Sequence, residues 1–144
     1  MAEKTQNTIV IDAENAASGR LASFVAKKLL QGETVAIVNS EKAVITGSRK
    51  NIQEKYLRLR KIGGSAVKGP FFPSSSEKIL KRMIRGMLPY KKSRGSQALK
   101  RVKCYNGIPK EFESAKKIKS GKSKAKATTL KELSRKLKCK KSIK

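Results

Sequence analysis

The chemistry open to this chain is limited first by what it lacks. Histidine, the commonest proton-transfer side chain near neutral pH, does not occur. Asp12 is the only aspartate, and the ten acidic residues lie scattered. No close carboxylate pair for glycoside or metal chemistry stands in the sequence, so only folding could bring two together. Cys104 and Cys139 are far apart, and without histidine neither a zinc finger nor a Cys–His pair can be built within the chain. A reducing cytosol suits such thiols, and Cys104 is expected to pack as a small apolar residue. Gly121-Lys122-Ser123 looks like the end of a phosphate-binding loop, but the first glycine of that motif would fall at Lys116 and no strand precedes it. Gly63-Gly64 has neither the spacing nor the strand-to-helix setting of a dinucleotide fingerprint. These absences predict no enzyme, no metal and no cofactor.

The chemistry the chain does offer is neutralisation of phosphate. Its 144 residues hold 36 Lys and Arg against 10 Asp and Glu, a formal charge of +26. Such a chain repels itself unless a polyanion is near, which points to a nucleic acid or an anionic membrane. No apolar run approaches the roughly 18 residues of a membrane span, and Met1 to Asn7 is polar and unlike a signal peptide, so a soluble intracellular nucleic-acid binder is expected. The cations are also placed for it. Lys78, Lys81, Arg82 and Arg85 recur at helical spacing opposite the apolar stripe Ile79, Leu80, Met83, Ile84, Met87 and Leu88, with almost no acid among them. They could face phosphates without disturbing a core, whereas an ordinary solvated face mixes Glu with Lys. Arg49, Lys50, Arg58 and Arg60 lie off the apolar face of a second helix. Lys61, Lys68, Lys91, Lys92, Arg94, Lys100, Arg101 and Lys103 sit in or beside glycine- and serine-containing loops that let backbone approach RNA. Three Tyr and four Phe are too dispersed for a single-strand stacking platform, so shape and backbone recognition is expected. Phe71 and Phe72, flanked by prolines, read as packing anchors.

These residues need elements to position them. Thr8 to Ile11 reads as a buried strand, and a helix capped by Ser18 runs from Gly19 to Leu30 with Gly32 as its stop. Val35 to Val38 is a second strand, so strand, helix and strand form a right-handed parallel crossover. Ala43 to Thr46 follows too soon for another crossover and must turn back or leave the sheet. Ser48 to Leu59 is a helix. Ser74-Ser75-Ser76-Glu77 offers a capping box for the next, which Pro89 ends. A short helix around Ala98-Leu99 precedes the alternating Val102 to Tyr105, a candidate edge strand closed by Asn106-Gly107. From Ser114 onward there are 13 basic residues and one acid, a formal +12. The first half of this tail, through Ala127, should be extended or disordered without its partner. Thr129-Leu130-Lys131-Glu132 is a further capping box, with Leu130, Leu133 and Leu137 as the stripe of a short docking helix near 129–138.

Particular strings also carry a resemblance. Ser18-Gly19-Arg20-Leu21-Ala22-Ser23, Val38 to Lys42 running on through Ile45-Thr46-Gly47, Arg85-Gly86-Met87-Leu88-Pro89 and Val102-Lys103-Cys104-Tyr105 resemble, in order and spacing across about residues 8 to 113, the universal large-subunit ribosomal proteins of the L-thirteen family. Lys68 to Pro73 and Tyr105 to Pro109 look like its archaeal and eukaryotic branch, and the short length suits the archaeal type. The resemblance implies an α/β fold of three layers, with a small, mainly parallel four-stranded sheet between helices. It further implies large-subunit rRNA and neighbouring ribosomal proteins as partners, incorporation early in assembly, and a cytoplasmic place in the large subunit. The basic loops around Lys61 to Lys68 and Lys91 to Lys103 would face RNA. The Lys-rich stretch Ser114 to Ala127 departs from the family pattern.

The expectation is therefore an α/β core over residues 1–113 with a basic C-terminal extension over 114–144, acting as a structural rRNA-binding constituent of the large subunit, with no membrane and no small-molecule substrate. Charge alone also permits an extra-ribosomal RNA-binding translational regulator. A nucleotide-using α/β enzyme would need its ligand at the strand ends near Asp12 and Asn39.

Overall fold

The structure, a computed structural model, describes residues 8–62, 69–119 and 126–139. In chain order its elements are β1 (Thr8–Asp12), α1 (Ser18–Leu30), β2 (Thr34–Val38), β3 (Val44–Thr46), α2 (Arg49–Lys61), α3 (Ser76–Gly86), α4 (Ser93–Lys100), β4 (Val102–Cys104), β5 (Lys117–Lys119), β6 (Ala127–Thr129) and α5 (Leu130–Cys139). The β-branched runs β1 and β2 pair in parallel around the α1 crossover, with β4 parallel outside β2 and β5 parallel outside β1, giving the order β4-β2-β1-β5. This is the small parallel sheet of an α/β fold that the resemblance implies, and it contains the β1-α1-β2 crossover read from the residues.

Register aligns the apolar side chains into rows. Ile9 stands opposite Val35, which stands opposite Val102; Ile11 stands opposite Ile37, which stands opposite Cys104. Because side chains alternate along a strand, these rows share one face of the sheet. Leu21, Val25 and Leu29 of α1, Ile79, Leu80 and Ile84 of α3, Ala98 of α4, and Leu130, Leu133 and Leu137 of α5 join that face in one buried cluster. Each large aliphatic side chain there contributes about 1.5–3 kcal/mol on burial. Residues on both sides of position 113 thus share one core.

The Ala43 to Thr46 run leaves the sheet. Asn39 adopts a left-handed conformation (φ 55°), a single 3-10 turn at Ser40–Lys42 follows, and β3 then pairs antiparallel with β6, Val44 opposite Thr129. Val44 N–H donates to Ala16 O at 2.9 Å, tying the ribbon to the start of α1.

Several expectations are corrected. Ser18 lies inside α1 and is buried, and Ala17 takes the cap position without a side-chain bond. The second helix starts at Arg49 and runs on to Lys61. The Ser74 capping box does not form: three successive serines offer competing registers, and α3 begins at Ser76 after an extended Ser75 that makes no side-chain cap bond. Glu77 instead accepts a bond from the Asn106 amide. Met87 lies past the end of α3 and is 44% exposed, so it drops out of the stripe, while Leu88 stays buried in the turn. Lys117–Lys119, expected as part of a stretch extended or disordered without its partner, is extended and forms the fourth strand of the sheet. The last helix does form as expected, with Glu132 N–H donating to Thr129 Oγ1 at 3.3 Å and its three leucines fully buried.

Candidate nucleic-acid interface

The basic residues divide by side-chain type. Arginines mostly hold the protein together. The carbonyls that end α1 carry the negative end of its dipole, and two arginines from the α4 region meet them: Arg101 Nη2 donates to Leu29 O at 2.8 Å and Arg94 Nη2 to Leu30 O at 3.4 Å. Arg60 of α2 donates in the same way to Leu137 O near the end of α5. Arg82 donates to Phe71 O at 3.0 Å and lies over the Phe72 ring at 3.9 Å, and Arg85 lies over the Tyr90 ring at 4.8 Å. Arg49 faces Glu132 at 4.0 Å in an exposed pair.

Lysines mostly point outward. Lys50, Lys61, Lys78, Lys91, Lys92, Lys100 and Lys103, together with Arg58, are exposed, and no partner engages their side chains among the described residues. Among the described lysines of the expected set the exception is Lys81, whose Nζ donates to Val102 O at 3.1 Å beneath the edge strand. This split has a physical cause: the planar, weakly hydrated guanidinium fork suits half-buried carbonyls and rings, whereas the strongly hydrated ammonium is retained in water. Lys68 lies outside the described residues, as do Gly63-Gly64 and Gly121-Lys122-Ser123.

The cationic face of α3 is therefore narrower than its sequence spacing suggests. Lys78 remains exposed at its start, while Lys81, Arg82 and Arg85 are half-buried with internal partners. Phe72 packs as expected, but Phe71 is 71% exposed and anchors nothing with its ring. Arg20, Lys27, Lys55, Arg135 and Lys138 are exposed cations of the same kind that loop and stripe reasoning passes over. Their positions off the apolar faces of α1, α2 and α5 are the signal that would have found them.

The acids do little to neutralise this surface. Glu33 pairs with Lys28 at 3.3 Å, Glu14 with Lys42 at 2.9 Å and Glu41 with Lys131 at 3.6 Å, all outside the expected set. The hydrogen bond and charge of Glu14 raise the Lys42 pKa, which keeps that pair ionic.

The strand ends near Asp12 and Asn39 close on themselves. Asp12 Oδ1 accepts from Asn39 Nδ2 and from Glu14 N–H, each at 3.0 Å, and Asn39 N–H donates to Gly107 O at 2.9 Å. Asp12 and Asn39 are 7% and 6% exposed. Their polar groups are engaged in joining β1, β2 and the loop after β4, which is a structural use.

A family profile described as Ribosomal protein L13 matches residues 6–111. The chain belongs to the ribosomal protein L13 family. It is similar to proteins named large ribosomal subunit protein uL13: 51% identical to that of Methanopyrus kandleri over 107 residues, covering 74% of this chain and 66% of the relative. Identity to the Methanococcoides burtonii protein is 53% over 106 residues, covering 74% and 76% of the two chains. The Methanococcus maripaludis protein is 43% identical over 129 residues, covering 88% and 94%. That last span is longer than residues 1–113, so similarity to the L13 family reaches into the basic extension. The L13 match agrees with the resemblance read over residues 8 to 113, and the strings that carry it have structural work in this fold. Val38 to Lys42 makes the left-handed turn that ends β2, and Arg85 to Pro89 closes α3 over the Tyr90 ring.

Proposed function

We propose that this L13-family chain is a structural constituent of the large ribosomal subunit that binds and stabilises large-subunit rRNA from an early stage of assembly, beside neighbouring ribosomal proteins. The observation that carries the reading is the division of labour among its cations: arginines fasten the helices and loops from within, leaving exposed lysines without partners on a rigid frame. Lys50, Arg58, Lys61, Lys78, Lys91, Lys92, Lys100 and Lys103 are the direct phosphate contacts. Lys68, outside the described residues, is proposed as a further contact. Arg49, Arg60, Lys81, Arg82, Arg85, Arg94 and Arg101 hold the binding surface in shape and meet RNA only where a guanidinium edge is left over. The residues after 113 add a formal +12 to the same interface. Fixed ammonium groups that displace counterions from RNA need no base-specific contact to bind tightly.

The reading is tested by fractionating cells and washing large subunits in high salt: the protein should remain with the particle. A protein found instead in the free pool, with RNA crosslinks dominated by messenger RNA, would point to a regulator acting away from the ribosome. For the purified chain, binding to large-subunit rRNA fragments should weaken about a thousandfold between low and physiological salt.

A further inference from the structure

Resting on the RNA-binding reading, we infer that the cleft between α2 and α3 seats one unpaired nucleobase of the bound RNA. The cleft is about 220 Å³ and is lined by Tyr56 and Leu59 of α2, Ile79 and Met83 of α3, and Phe72, with Lys55 and Arg82 as its cations. It is smaller than the roughly 300–1,000 Å³ that encloses a whole small ligand and is sized for a single ring system. Its wall is held in place from within: Arg82 donates to Phe71 O at 3.0 Å and covers the Phe72 ring at 3.9 Å, which fixes the Phe71-Phe72-Pro73 segment against α3.

The chemistry of the lining selects the occupant. Ring faces and a guanidinium plane are the surfaces on which unstacked RNA bases lie, and an ammonium at the rim meets the attached phosphate. Among the described residues no carboxylate lines the cleft. A second depression, between the start of α3 and α5, is lined by Glu41 and Glu77 along with Lys131, Arg135 and Lys138, and its acids disfavour a phosphate chain. The expectation of backbone recognition stands for the rest of the surface, and this cleft adds one base contact to it.

The test uses the full chain with a single-stranded oligoribonucleotide carrying thiouridine, and a blunt duplex of the same sequence for comparison. Photoadducts on the single strand should map to Tyr56 or Phe72, and the duplex should bind without them. Leu59→Trp, which fills the cleft, should lower those adducts about tenfold, the scale of one lost base-stacking contact. Phe71→Ala, at an exposed position outside the lining, should leave them unchanged. Total salt-dependent RNA binding should stay within about twofold in both variants, because most of the phosphate contacts lie elsewhere. Adducts confined to other sites, with RNA binding intact, would overturn the base contact and leave the RNA-binding reading standing. A wild-type chain with no salt-dependent RNA binding would take both down. In assembled large subunits, a photoreactive phenylalanine in place of Lys55 should crosslink to an unpaired rRNA nucleotide. Crosslinking to a ribosomal protein, or to residues 63–68 of this chain, would overturn the inference.

Discussion

Arg101 and Lys103 stand two positions apart at the edge strand and face different tasks. Arg101 donates to Leu29 O at 2.8 Å at the end of α1, while Lys103 is exposed with its side chain unpartnered. Arg101→Ala should cost about 1.5–3 kcal/mol, the range for a hydrogen bond from a charged donor, read as a lower urea midpoint with unchanged slope. The buried, unpartnered Arg101 Nε works against the upper end of that range. Lys103→Ala should shift stability by less than about 0.5 kcal/mol, yet lower the salt slope of RNA binding by about 1. Equal effects of the two substitutions on both readouts would contradict the split between holding and contacting residues. Cys104 is a second residue-scale case. Burial pushes its thiol from an ordinary 9.0 up to about 12, so the native protein should take up iodoacetamide at exposed Cys139 and spare Cys104 at neutral pH, as peptide mass mapping would reveal. The raised value also has a sign for stability. The unfolded chain ionises at Cys104 first, so its contribution is fully present below pH 9.0 and is lost as pH rises toward about 12.

At the scale of elements, the join between the Pro89 turn and α4 depends on one missing side chain. A Cβ placed on Gly95 would stand 2.2 Å from the Pro89 carbonyl oxygen and 2.9 Å from Tyr90 N, both backbone atoms that cannot swing aside. In an exposed helix interior, Gly→Ala gains about 1 kcal/mol. Here the sign should reverse, with Gly95→Ala costing about 1–3 kcal/mol in thermal melts, as overpacking does. Gly19→Ala is the control: nothing lies within 4 Å of its Cβ in the first turn of α1, so it should be neutral or slightly stabilising. The element-scale misreadings have the same source as this contact. A run of serines leaves the start of α3 ambiguous along the chain, and packing chooses the register by burying Ser76 and engaging Glu77 with Asn106.

For the whole molecule, the formal charge of +26 is carried on a fold whose core extends to its last helix. Self-repulsion and RNA attraction are screened by the same ions with opposite consequences. The free chain should therefore melt at higher temperature as sodium chloride rises from a few millimolar, while the stabilisation conferred by a large-subunit rRNA fragment shrinks over the same range. Melting curves with and without the fragment check this, and a free chain that loses stability as salt is added would show that repulsion is not what limits it. Leu130, Leu133 and Leu137 supply fully buried core from beyond the Lys-rich stretch, so the C-terminal helix belongs to the stability of the molecule as well as to its charge.

The sequence by itself determined the class of fold and pointed to a class of partner. Strand runs at Thr8 and Val35, the stripes of α1, α3 and α5, and a one-sided excess of cations are local or additive properties, and local periodicity and summed charge survive without coordinates. What a given cation does was decided only by tertiary structure. Lys78 and Lys81 have the same spacing logic on α3, but only Lys81 comes to rest beneath the Val102 carbonyl, because β4 docks there from 21 residues further along. The same holds for Lys117–Lys119: its composition reads as a basic stretch extended or disordered without its partner, and it becomes a strand because the free edge of β1 supplies the hydrogen bonds its own sequence does not announce. Long-range pairing of backbone groups is the term that pattern and charge leave out.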